Sequence, residues 1–403
     1  MNELKENSVP ERRYDLDWLR IFATIMIFLF HSARAYDYLP WEIKNDKLDI
    51  GMTIFVVFLS GWIMPFFFIL SGMSVFYALK ARTNKEFIKE RSKRLLIPWI
   101  FGICTSLSIH VYIEVLYGQP YLPPFSGNYF EFYFFRYFTS GVYGYGGYLP
   151  LGGGIYLWYL IFLFIYSLVC LKLFRYLKKS KNKEKITKLA NFCNKPGRIF
   201  IFVIPIIMMM ILGYVIAPLF YIEIGGWNIL VYIIFLIYGY MFASNEKFRE
   251  SLEKYRILAF IIGIVTSLVI IILFLTYYSN LLQIEGLFEL NEFTFSILYI
   301  IFWPLNCLCW LIAILGIGSK KLDKNRKSLK YLSDIVLPFY IIHQTIIIVV
   351  AFYCISLNIP IIAKYLIVVS VSFVIIFCLI LLIRKVKVLR FLFGMRIKEK
   401  KQI

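Results

Sequence analysis

The stretch RYDLDWLRIFATIMIFLFHSARAYD, residues 13–37, decides the fold. It is an apolar run of membrane-spanning length that opens on Arg20 and carries His31 eleven residues later. An α-helix turns about 100° and rises about 1.5 Å per residue, so eleven residues make roughly three turns and bring both side chains back to one face, about 16 Å apart along the axis. One stripe of this helix is therefore polar. Ionisable groups are costly in hydrocarbon and face a bundle interior or a wet cavity, so the rest of the chain must supply helices that enclose the stripe.

Composition agrees. The 403 residues are 60% apolar and 19% aromatic, with a mean hydropathy of +0.73, against an apolar share nearer half in soluble domains. Apolar runs long enough to cross a hydrocarbon core about 30 Å thick recur along the chain. A β-barrel is excluded by the absence of short alternating segments. The net charge of +20 does not point to nucleic acid, because the basic residues are confined to alternate connections instead of forming one patch. The cysteines, in apolar runs (Cys104, Cys170, Cys307, Cys309, Cys378) or a basic loop (Cys193), lack metal-ligand spacing and read as packing residues. Ala33, Arg34 and Ala35 look like a signal-peptidase site, but His31 interrupts the apolar core and an arginine occupies the site, so the segment is expected to stay.

Ten spans follow from the pattern, at about 18–36, 52–79, 95–117, 156–174, 199–220, 227–243, 257–278, 294–316, 335–353 and 361–383. Pro65 is expected to interrupt the second, and Ser71 with Gly72 to permit close helix approach. The connection 80–94 holds seven basic and two acidic residues, and 172–198, 247–256, 320–330 and 384–401 are also basic. The first and seventh spans lead instead into acidic loops, with Asp37, Glu42, Asp46 and Asp49, and with Glu285, Glu289 and Glu292. Cytosolic loops collect Lys and Arg, which gives an all-α, polytopic membrane protein, a bundle of about ten transmembrane helices with both termini cytosolic. One membrane domain covers 18–384, between a cytosolic tail of 1–17 and a basic tail of 385–403.

Few titratable groups lie inside the spans. His31, His110 and His343 do, and a lone histidine in a span is more often a packing partner than a catalyst. Arg20 can snorkel or pair with Asp17 three residues back. Arg91 and Arg94 stand one turn apart at the cytosolic entrance of the third span, and with Arg20 they could form a cationic cluster for phosphate, since guanidinium offers a planar bidentate donor. His110 and Glu114 share a face and suit an interfacial hydrogen bond. The aromatic segment 117–159 reads as an interface belt or as stacking surface for a sugar.

Taken together, these residues resemble the integral-membrane acyltransferases of the acyltransferase-3 group, whose members O-acetylate bacterial surface polysaccharides or succinylate periplasmic glucans. Arg20 and His31 match the family's arginine, ten residues, histidine signature. Arg91-Ser92-Lys93-Arg94 matches its paired-arginine motif, while PFFFILSG, RLLIPW, LWYL and FYIIHQ are similar to its other landmarks, in order over nearly the whole chain. LWYL is preceded here by Tyr156, where many relatives carry histidine.

The resemblance implies a membrane-bound O-acyltransferase of the bacterial cytoplasmic membrane. It would move an acyl group, acetyl or succinyl, from cytosolic acyl-CoA to a hydroxyl of a surface or exported glycan or glycoside. His31 and His343 would be catalytic, Arg20, Arg91 and Arg94 would hold the coenzyme, and Ser71, Tyr156 and Trp158 would contact substrate. Acyl-CoA is then a co-substrate, with no tightly bound cofactor and no metal, and the lipid bilayer is the remaining partner. Direct transfer and an acyl-enzyme on Ser71 or His31 both stay open. The reading from another class is a polytopic transporter or flippase for a glycan or small molecule, although inverted repeats are not evident.

Overall fold

A computed structural model describes residues 13–119, 122, 124–138, 155–220, 223–279 and 290–395. The polar extremes of both expected tails, the loop residues Glu285 and Glu289, and 139–154 of the aromatic segment lie outside the described residues.

Helix α1 (Tyr14–Ala33) places Asp15 and Asp17 in its first turn, where carboxylates favour the positive helix end. It is followed by the helical segments α2 (Ile50–Ser60) and α3 (Ile63–Ala81). Asp49 caps α2 by accepting from the Met52 amide at 2.8 Å. The break between them falls at Gly61 and Trp62, four and three residues before Pro65. Proline has no amide proton and crowds the carbonyl four residues back, so the interruption expected at Pro65 appears one turn earlier.

The chain returns through a helix over Asn84–Tyr117, which contains two π-helical turns, Ser92–Leu96 and Ile103–Leu107. The first π turn begins immediately after Arg91 and includes Arg94; such bulges re-aim the side chains around them. A bent pair follows, α4 (Trp158–Val169) and α5 (Leu171–Leu177), with 51° between its halves. Next come α6 (Ser180–Cys193), α7 (Val203–Phe220) and α8 (Val231–Ser244).

The short connection expected between the fifth and sixth spans is a two-stranded antiparallel hairpin, β1 (Glu223–Ile224) and β2 (Trp227–Asn228). Gly225 and Gly226 form its turn at φ of 62° and 81°, the left-handed conformation that a two-residue hairpin loop requires. The described architecture is therefore all-α with this one small hairpin.

Long helices complete the bundle: α9 (Glu246–Tyr277), α10 (Glu292–Leu322), α11 (Lys327–Cys354) and α12 (Ile361–Lys385). Helix α9 starts well before the apolar run at 257, because 246–256 is built from good helix formers and Asn245 caps it by accepting from the Lys247 amide at 2.9 Å.

Among the described residues, seven helices are long and apolar enough to cross a membrane, and the bent pair makes an eighth if counted as one crossing. The expected fifth and sixth spans are shorter apolar helices, Arg198–Gly213 and Val231–Ser244. The chain is an all-α, multi-pass membrane protein. Helix α3 packs along α8, and α9 along α10. A Cβ on Gly72 would collide with the Leu236 carbonyl and lie 3.0 Å from the Gly239 Cα, and one on Gly239 would strike the Ile69 carbonyl. Gly72 and Gly239 thus lie where two backbones touch, as small residues in membrane helices allow, whereas the neighbouring Ser71 points to the Tyr159 hydroxyl.

Candidate active site

Two cavities lie along the polar stripe of α1. The inner one, of about 560 Å³, is bordered by Arg13 and Arg20 from the start of α1, Ser71, Ser74 and Tyr77 from α3, and Arg82, Arg91 and Arg94 beyond it. Five arginines face two carboxylates here, Asp17 and Glu90, so the lining carries an excess of positive charge. Arg20 donates to Asp17 at 2.8 Å and to the Ser74 hydroxyl. The pairing with Asp17 and the membership of a cationic cluster are both present.

Arg91 lies half-buried with its guanidinium 5.1 Å from the centre of the Phe87 ring. Arg82 and Arg94 share Glu90, at 2.9 and 3.8 Å. Arg13 and Arg82 lie outside the expected donor set: Arg82 belongs to the basic connection 80–94, and Arg13 to a charged N-terminal stretch with no basic excess. Ser71 faces this same inner cavity, its hydroxyl 2.6 Å from that of Tyr159.

The outer cavity, of about 700 Å³, holds His31, Arg34, Trp41, Glu42, Tyr156 and Trp158, the hairpin turn Gly225–Gly226, and the rings of Phe274, Tyr299 and Trp303. His31 stands in the last turn of α1. The loop beyond is clamped: Arg34 donates to Asp37 and to the Pro40 carbonyl, both at 2.5 Å, and Lys44 donates to Asp37 at 2.5 Å. Burial raises the Asp37 carboxyl above its ordinary range and pushes the Lys44 ammonium down to about 8, each against the pull of its charged partners.

His343 does not face the cavity. It is fully buried behind His31, with ring centres 5.3 Å apart. Its Nδ1 lies 2.6 Å from the Tyr340 carbonyl, and a carbonyl only accepts, so the Nδ1 carries the proton and Nε2 is the lone pair. That Nε2 is buried and unpartnered, as is His31 Nδ1. One orphan nitrogen on each ring, on neighbouring rings, is the arrangement from which a short adjustment makes an imidazole–imidazole hydrogen bond.

The Tyr156 hydroxyl is occupied within the fold, 2.8 Å from both the Ile341 carbonyl and the Thr345 hydroxyl. Its ring lies between those of His110 and His343, at 5.4 and 6.0 Å. Tyr156 therefore contributes a wall to the cavity while its hydroxyl holds the turn of α11 that carries His343. Trp158 forms another wall, packed on Tyr232 at 5.2 Å.

His110 and Glu114 approach to 2.9 Å, as their spacing suggested, and Glu42 adds a third group at 3.7 Å from the same nitrogen. The ligand atoms of these three lie within 4.8 Å of one another, the grouping among the described residues that could hold a metal ion. Gln344 donates to Glu42 at 3.2 Å and borders the outer cavity.

The residues expected from sequence thus divide into two groups: Arg20, Arg91, Arg94 and Ser71 inside, and His31, Tyr156 and Trp158 outside with His343 behind. Fold and site define a multi-pass membrane protein with an arginine-lined and a histidine-lined cavity along one bundle. The chain belongs to the acyltransferase-3 family, whose acyltransferase domain matches residues 13–384. It is 24% identical over 187 residues to the Glucans biosynthesis protein C of Escherichia coli (strain SMS-3-5 / SECEC), covering 45% of this chain and 44% of that one. The proteins of the same name in Escherichia coli (strain K12) and Shigella dysenteriae serotype 1 are 23% identical over the same length and shares. The match thus spans less than half the length of these relatives. No solved structure matches the chain.

Proposed function

We propose that the protein is a membrane-bound O-acyltransferase that moves an acetyl or succinyl group from cytosolic acyl-CoA to a hydroxyl of a cell-surface or exported glycan. The observation that carries this reading is the pair of chemically distinct cavities, arginine-lined and histidine-lined, along one bundle of an acyltransferase-family chain. The relatives' name supports a glycan as acceptor, and rings such as Trp158, Tyr299 and Trp303 offer stacking faces for sugar. In this reading residues 18–384 form one membrane domain crossing ten times. The shorter helices and the bent pair count as crossings, and both termini are cytosolic, as the distribution of Lys and Arg supports.

The mechanism follows from the groups present. Arg20, Arg91 and Arg94, joined by Arg13 and Arg82, hold the phosphates of the coenzyme, and the pantetheine arm runs along the stripe of α1 toward His31. The acceptor hydroxyl, held against Tyr156 and Trp158, gives its proton to His31 Nε2 while its oxygen attacks the thioester carbonyl. Collapse of the tetrahedral oxyanion breaks the C–S bond, and His31 returns the proton to the departing thiolate, leaving the acyl ester and free coenzyme. His343 is a positioning residue. Its Nε2 accepts from His31 Nδ1–H, and its own Nδ1–H is held by the Tyr340 carbonyl, which fixes the tautomer of the base. Direct transfer is favoured over an acyl-serine because Ser71 lies in the inner cavity, with a tyrosine hydroxyl as its partner.

A transporter or flippase is the second reading, favoured by the back-to-back cavities and the broken helix α4–α5. Membrane vesicles given labelled acetyl-CoA and a glucan acceptor separate the two. An acyltransferase places label on the glucan and releases free coenzyme, whereas a flippase moves glucan without consuming thioester.

A further inference from the structure

The inner and outer cavities share one lining residue, Tyr340. The residue is 6% exposed. The ring stands between those of Tyr159, 5.7 Å away on the inner side, and His343, 5.5 Å away. Its hydroxyl donates to the Tyr156 carbonyl at 2.6 Å, linking α11 to the entrance of α4. Tyr159 is itself bonded to Ser71, so the inner side of the septum is braced. The Tyr340 carbonyl, not its side chain, holds His343. The phenol can therefore swing without disturbing the imidazole pair, at the cost of one hydrogen bond whose net worth is small.

Resting on the acyl-transfer reading, we propose that the Tyr340 side chain is the gate between the donor and acceptor cavities and limits the transferred acyl group to a short chain. Latched to Tyr156, the phenol keeps outside water and acceptor away from the thioester. Unlatched, it lets the thioester carbonyl through to His31. Whatever is attached to that carbonyl must clear the space between Tyr159 and His343, so bulk beyond a few carbons is rejected by the same ring.

Two measurements test this separately from the chemistry. With the exposed Cys378 replaced by serine, Ser71→Cys supplies a thiol in the inner cavity, probed with a charged methanethiosulfonate. From inside-out vesicles the thiol reacts whether position 340 is Tyr, Phe or Ala, which also reports that each variant is folded. From outside intact cells it stays protected with Tyr340, reacts faster with Tyr340→Phe, which lacks the latch, and fastest with Tyr340→Ala. Outside protection that is equal in all three overturns the gate.

The second measurement compares octanoyl-CoA, twice the length of succinyl, with acetyl-CoA. Tyr340→Ala raises the octanoyl to acetyl ratio of kcat/KM by about tenfold, the scale of a relieved steric contact, and adds acceptor-independent thioester hydrolysis. An unchanged ratio overturns the chain-length role. If the thiol opens as expected and wild-type protein consumes no thioester, the gate stands and the acyl-transfer reading fails.

Discussion

Replacing His343 by phenylalanine keeps the volume of a fully buried ring and removes both nitrogens. In the resting protein the change deletes one Nδ1–H bond to the Tyr340 carbonyl, worth about 1 kcal/mol net and partly offset by the apolar ring, so the chain should fold and reach the membrane. In the transition state the loss is larger. His31 becomes an imidazolium, and a hydrogen bond from a charged donor is worth about 1.5–3 kcal/mol, against about 1 for the neutral pair. The differential comes to roughly 0.5–2 kcal/mol, or about 2- to 30-fold in kcat at about 1.4 kcal/mol per decade.

The KM for acyl-CoA should not move, because His343 does not border the inner cavity. Steady-state transfer from labelled acetyl-CoA, measured on purified protein in nanodiscs, reads both parameters. An unchanged kcat, or a loss confined to KM for acyl-CoA, would refute the positioning role.

Arg91→Ala should raise the KM for acyl-CoA by about tenfold or more, the loss of one charge-assisted phosphate contact; Arg94→Ala, whose guanidinium already reaches toward Glu90, should cost less, and an unchanged concentration dependence in the double variant would remove both from the donor site. Trp158→Ala should weaken acceptor saturation by about 1–3 kcal/mol of lost stacking and packing without altering acyl-CoA dependence, as read by varying glucan at fixed donor. Gly72→Val should destabilise the bundle by about 1–3 kcal/mol or more, because the helices α3 and α8 meet backbone to backbone there. A wild-type melting temperature in detergent would contradict that packing.

The membrane class, the polar stripe of α1 and the clustering of Arg20 with Arg91 and Arg94 were legible because hydropathy, charge placement and helical period are local properties. The division into two cavities was not. The resemblance groups Ser71 with Tyr156 and Trp158 as substrate contacts, and the structure separates them: α3 turns Ser71 toward Tyr159 and the arginines, while Tyr156 and Trp158 border the other cavity. His343 stands one layer behind His31, a place that depends on how α11 packs against α1 and that no spacing within α11 records.

Tyr340 carries a signal in hindsight, three residues before His343 and so on the same face, but a tyrosine in an aromatic-rich span reads as packing. The π turn at Arg94, directly after Arg91, and the approach of Glu42 to His110 from the loop after α1 leave no mark in local spacing. Helix α9 begins well before the span that hydropathy marks from 257, because a helix continues past the apolar run wherever its polar residues keep helical propensity.

Passage of an acyl group from the arginine-lined to the histidine-lined cavity of one chain requires His31 as the base. The decisive assay uses membranes bearing wild-type or His31→Ala protein at equal levels, supplied with labelled acetyl-CoA on the cytosolic face and glucan on the other. Label should appear as an O-ester on the glucan with the wild type and be lost with His31→Ala, and transfer by His31→Ala at the wild-type rate would contradict the account.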